Sequence, residues 1–213
     1  MTLEAGFGDE VKARIAEAVR RAESTSRGQI VPVVVHRSDA YPEVRYRGAL
    51  LAAALATAAA LLLPFPLALS ELALAQIAAG LAGAGLTFWE PLERLLLGGR
   101  AMQEAVHARA VWAFHEHGFY KTAEGTGVLV FASLFEHRAV VLGDRGIHEK
   151  MGDGGWERAL AALTAGMRTG APGKGFEDAV ALCGARLAEH FPRDPAARPQ
   201  PNELDDALQV EER

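Results

Sequence analysis

Residues 48 to 89 constrain this chain most. They form a run of 42 positions with a single charge, Glu71, lying close to Pro64 and Pro66 near the middle. Divided at the prolines, the run gives two apolar segments, 48–63 and 72–89. As helices they would extend about 24 and 27 Å at ~1.5 Å per residue, near the ~30 Å hydrocarbon thickness of a bilayer. Arg45, Tyr46, Arg47 and Trp89 flank them, residue types that anchor or snorkel at the headgroups. A buried hairpin of a soluble helical protein would keep a wet face, and neither segment has one. The pattern predicts a transmembrane helical hairpin within 45–92. Small residues recur at every fourth position, Gly48, Ala52, Ala56 and Ala60 in the first segment and Ala75, Ala79, Gly83 and Thr87 in the second. Such stripes let two backbones approach in lipid, where packing replaces the hydrophobic effect.

Two spans return the chain to the side it left. Arg37, Arg45 and Arg47 precede the first, Arg94 and Arg100 follow the second, and 64–71 between them carries no basic residue. The positive-inside rule then predicts a two-span protein of the cell inner membrane with both termini in the cytoplasm. Residues 1–10 are acidic and lack the basic-then-apolar order of a cleavable signal, so the hairpin is expected to direct its own insertion. One cysteine, Cys183, excludes an intramolecular disulfide and fits a reducing compartment. The net charge of −5, of which residues 192–213 contribute −3 through six acids against three arginines, gives no footprint for nucleic acid.

Around the hairpin the periodicities alternate between helix and strand. Val11, Ile15 and Val19 mark one face of a helix over 8–25, and the β-branched run QIVPVVVH at 29–36 reads as a buried strand. Pro32 cannot donate to a ladder, which predicts an edge strand or a bulge there. Residues 101–117 read as a helix stopped by Gly118, and GVLVFAS at 127–133 with RAVVL at 138–142 reads as a β-hairpin. Helices follow over 156–168 and 176–190. Four prolines and many acids beyond Phe191 predict a disordered tail over 192–213. The expected fold is α/β, a small mixed sheet flanked by helices with the hairpin inserted within it. Residues 1–40 and 101–191 make the soluble domain, with a right-handed crossover between its parallel strands.

The run 127–156, GVLVFASLFEHRAVVLGDRGIHEKMGDGGW, resembles the core of the TPM domain family, also called the TLP18.3, Psb32 and MOLO-1 phosphatase family. RGQIVPVVV after an amphipathic helix, a GVL strand paired with HRAVVL, and DRGI just after it carry the resemblance. GFEDAVALCGARLAEHFP and NELDDAL are similar to a membrane-anchored bacterial branch. The resemblance implies a TPM-like sandwich, divalent-metal binding, calcium above all, and acid phosphatase activity in some members, with others acting in assembly or repair of membrane complexes.

A hard cation needs several oxygen ligands converging from loops. Glu124 and Thr126 precede the GVL strand and Asp144 leaves its partner, so an antiparallel pairing sets them at one end of the sheet. Asp153, nine residues on, would reach the same edge, with helix capping as its alternative role. These four residues are the candidate ligands for calcium or another divalent metal, and Arg145 is the candidate phosphate-binding residue. Two functions follow as expectations: a non-catalytic or weakly metal-binding module on a membrane protein complex, or a metal-dependent acid-type phosphatase. The acidic NELDDAL segment reads in addition as a docking segment for a partner. His107, His115 and His117 lack the spacing of four that zinc helices use. GAPGKG at 170–175 has the wrong glycine spacing for a phosphate loop, and Cys183 on an apolar face reads as a buried thiol.

Overall fold

The computed structural model describes residues 6–62, 67–119, 125–151, 153–193 and 204–211. In chain order the elements are α1 (Asp9–Thr25), β1 (Gln29–Val35), α2 (Pro42–Leu61), α3 (Leu69–Leu86), α4 (Glu90–Leu97) and α5 (Gly99–Glu116). There follow β2 (Gly127–Ser133), β3 (Arg138–Gly143), α6 (Arg145–Met151), a 3-10 turn (Asp153–Trp156), α7 (Glu157–Arg168), α8 (Pro172–His190) and β4 (Gln209–Glu211). They fall into two compact units, residues 1–39 with 103–213, and residues 40–102.

The first unit is built on a mixed four-stranded sheet in the order β3-β2-β1-β4. β1 runs parallel to β2 and to β4, and β2 pairs antiparallel with β3. Side chains alternate across this sheet with the period of two that a strand imposes. Ile30, Val34, Val128 and Val130 face α1, α7 and α8, where Ile15, Leu163, Phe176 and Val180 meet them. Val31, Val33, Leu129 and Phe131 face the other way, onto Val106, Ala110 and Ala113 of α5. Both faces of β1 and β2 are therefore covered, which is why these strands read as continuous apolar runs. Each fully buried Val, Leu or Ile contributes about 1.5–3 kcal/mol. The 170–175 segment, expected as a loop, largely forms the first turn of α8. Its Gly175 lies so close to Gly166 of α7 that a Cβ on Gly166 would come within 2.6 Å of the Gly175 Cα.

Pro32 is placed differently from the expectation. β1 is an inner strand, yet its ladder to β4 covers only Val33–Val35. Gln29 donates to the Thr126 carbonyl and Val35 accepts from Leu134, so odd-numbered residues of β1 turn their backbone groups toward β2. Pro32 thus directs its missing donor to the outer side, one residue before that ladder begins. There the strand is an edge.

The expected disordered tail is also corrected. Pro192 bridges to Ser26, Arg193 donates to the Thr25 carbonyl at 3.2 Å, and Gln209–Glu211 adds the fourth strand. Composition misleads here because one short strand with Leu208 buried needs few apolar residues. Residues 194–203 lie outside the described residues.

The second unit is a helical pair. α2 and α3 are long and apolar enough to cross a membrane, about 30 and 27 Å at ~1.5 Å per residue. Only 11% of the one apolar window and 6% of the other are buried, unlike the core helices of a soluble protein. The helices cross at Gly48 and Gly83. A Cβ on Gly48 would lie 2.8 Å from the Gly83 carbonyl oxygen, and one on Gly83 would lie 2.5 Å from the Ala52 Cβ. The predicted stripe holds in α2 but not throughout α3, where Ala75 is exposed and Gln76 takes the inward position. In α3 the inward face passes from Gly83 through Ala79 to Gln76, a step of four followed by one of three. Gln76 Nε2 donates to Thr57 Oγ1 at 2.7 Å, satisfying a polar pair between the helices. Glu71, the lone charge, sits in the first turn of α3 and accepts the Ala68 N–H at 2.9 Å.

Candidate functional site

At the amino ends of β1 and β2 the sheet gathers part of the predicted cluster. Asp144 ends β3 by donating its N–H to the Gly127 carbonyl at 2.8 Å, and its own carbonyl accepts from Ile147 and His148, each at 3.0 Å. Its Oδ1 accepts the Arg145 N–H at 2.6 Å, so the carboxylate caps the start of α6. Gly125, held at φ +62, brings its backbone close enough that a Cβ would sit 3.6 Å from Asp144 Oδ2. Thr126 is buried and donates its hydroxyl to the Arg27 carbonyl at 3.0 Å. Thr126 and Asp144 thus share one end of the sheet, but both bind backbone. Arg145 opens α6 at this end; its side chain is 88% exposed and pairs with Glu149 at 3.0 Å. Glu124 and the side chain of Asp153 lie outside the described residues, the Asp153 backbone opening the 3-10 turn.

The expectation of calcium or another divalent metal is corrected here. Among the described residues no group of three or more His, Cys, Asp or Glu side chains could hold a metal ion. A hard cation takes six to eight oxygens, whereas the described side chains at this end supply one carboxylate, Asp144, and one hydroxyl, Thr126, that donates to the Arg27 carbonyl. Among the described residues the phosphatase alternative therefore lacks the donor set for the metal that would polarise its phosphoryl oxygen.

Two other clusters were not legible in the sequence. At the carboxyl ends of β1 and β2, Glu136 is only 4% exposed, accepts the Ser133 hydroxyl, and accepts the Ser38 N–H at 2.9 Å. It ties the segment leaving β1 to the β2–β3 connection, where His137 stands in the left-handed region at φ +50. Along the outer edge, Glu211 of β4 is gripped by Arg109 and by His117 Nε2, the latter at 3.0 Å, both from the α5 side of the sheet. Arg109 also stacks over Trp112 with its Cζ 4.2 Å from the ring centroid. Farther along that edge Glu23 of α1 accepts the Ile30 N–H at 2.8 Å, replacing a strand partner beyond the end of the ladder. Burial, reinforced by Asp206, raises the Glu23 pKa from 4.5 to about 7 against the lowering effect of that N–H. Burial likewise pushes the Cys183 thiol up, leaving it inert.

Fold and edge together define a mixed α/β domain that carries an inserted apolar helix pair. No family model matches the chain, and no curated protein does. Among solved structures it is similar to the BA42 protein of the psychrophilic bacterium Bizionia argentinensis, determined by NMR. The TM-score is 0.62 at 18% identity, with 99% of each chain covered. At that identity the likeness is one of fold.

Proposed function

We propose that this chain is a TPM-like domain held in the cell inner membrane by the 45–92 hairpin, with both termini cytoplasmic. It acts as a non-catalytic binding module beside a membrane protein complex. The surface of the helix pair carries this reading. α2 and α3 bury Gly48 and Gly83 against each other, while Leu50, Leu51, Leu55, Leu74, Ile77 and Leu81 are each more than half exposed. Each such side chain gains about 1.5–3 kcal/mol on leaving water, which acyl chains supply without further protein contacts. Charge asymmetry supports the orientation, since every arginine flanking the pair lies at its open end. The TPM reading is supported by the order of a parallel pair, 29–35 with 127–133, followed by an antiparallel HRAVVL strand and a DRGI cap. The non-catalytic reading is supported by the engagement of Asp144, Thr126 and Glu136 in bonds that hold the fold. Reporters fused in turn to each terminus, active only in the cytoplasm, test the arrangement. Activity at both is expected, and an external reporter at either end overturns it.

A further inference from the structure

We infer that the outer edge of β1 is a strand-acceptor site, occupied in this structure by the chain's own segment 204–211. Its exchange partner is an extended segment of another protein with an apolar side chain three residues before a carboxylate. The inference rests on the binding-module reading but not on membrane insertion. Backbone pairing is too short to hold the segment alone, because β4 has three residues and the ladder stops at Pro32. Two side chains do most of the holding: Leu208 is buried in the core cluster that α1, α7 and α8 share with the sheet, and Glu211 pairs with Arg109 and His117. An alternation of this kind, main-chain bonds for affinity and pockets for alternate side chains, is how sheet edges take up peptides.

Two observations show that the resident segment is an imperfect occupant. Arg109 Nη1 is buried and makes no hydrogen bond among the described residues, so the cationic pocket has room in its chemistry for a second acceptor oxygen. The negative charge of Asp206 acts on the Glu23 carboxyl and adds to burial in disfavouring its charged form. A partner with a neutral residue at the position of Asp206 keeps both anchors and removes that repulsion.

The probes are labelled peptides with the sequence 204–211, offered in detergent micelles to the full chain and to a chain lacking 204–213. The shortened chain should bind at least about tenfold tighter than the intact one, and Glu211→Gln in the peptide should weaken binding by about tenfold, the loss of a charge-assisted pair. Asp206→Ala in the peptide should tighten it severalfold. A folded shortened chain that ignores the peptide, or binds it equally with Glu211→Gln, overturns the inference. Hydrogen exchange on the intact chain gives a second reading that needs no deletion. The Gln209 and Glu211 amides, which face β1 in this register, should exchange about 100-fold faster than those of Leu129 and Phe131, as a locally opening element does. Equal protection would make β4 an integral strand and overturn the exchange. Either failure leaves the topology of the hairpin untouched.

Discussion

Replacing Glu23 by glutamine should change the pH dependence of stability with a sign and size fixed by the structure. Glu23 faces the Ile30 N–H from β1 and Asp206 from the last segment, and Arg193 Nη1 donates to its main-chain carbonyl at 3.5 Å. Burial raises the carboxyl pKa from 4.5 to about 7 in the folded state. Between those values the folded chain holds a proton that the unfolded chain has released. The stabilisation is therefore complete below the unfolded value and is lost as pH rises through the folded one. The difference corresponds to about 3 kcal/mol, an upper figure for a half-buried group. Glutamine keeps an oxygen for the Ile30 N–H and cannot ionise. In urea titrations of the full chain in micelles, Glu23→Gln should match the wild type near pH ~4.5 and exceed it by about 2–3 kcal/mol near pH ~8. A difference that does not grow with pH refutes the argument.

Four further outcomes follow from the same contacts. Gly83→Leu forces a side chain onto the Gly48 carbonyl and Ala52, and should cost about 1–3 kcal/mol of helix pairing, read as lost protease resistance of the hairpin in micelles. Resistance equal to wild type contradicts the crossing. Glu136→Ala strands the Ser133 hydroxyl and Ser38 amide and should lower the unfolding free energy by about 2–4 kcal/mol, with an unchanged urea midpoint as the contrary result. Asp144→Ala removes a cap at a cost of about 1 kcal/mol, and millimolar calcium should leave the melting temperature of both proteins unmoved. Arg109→Ala should speed exchange at Glu211 by about tenfold while leaving Phe131 protected.

What could be read from the sequence follows from how local each signal is. β1 and β2 announce themselves because burial on both faces leaves only apolar residues, and the α2–α3 pair because lipid-length segments tolerate almost no charge. The common end of Thr126 and Asp144 was legible too, since antiparallel pairing fixes it. Their chemistry was not, because a carboxylate cap and a metal ligand look alike until the hydrogen bonds are seen. β4 was hidden for a different reason. Buried Leu208 just before it and clamped Glu211 within it sit among prolines and acids, and the partners of Glu211, Arg109 and His117, lie roughly a hundred residues earlier, joined to it only by the fold. Ala75 was misplaced because Gln76, which donates to Thr57 across the pair, takes the inward position beside it.

The decisive measurement is the distribution of the intact chain after cells are broken without detergent and the membranes are washed at alkaline pH. A helix pair with leucines exposed around it should remain with the bilayer until detergent is added. Recovery of the folded chain in the aqueous wash would contradict the account at its base.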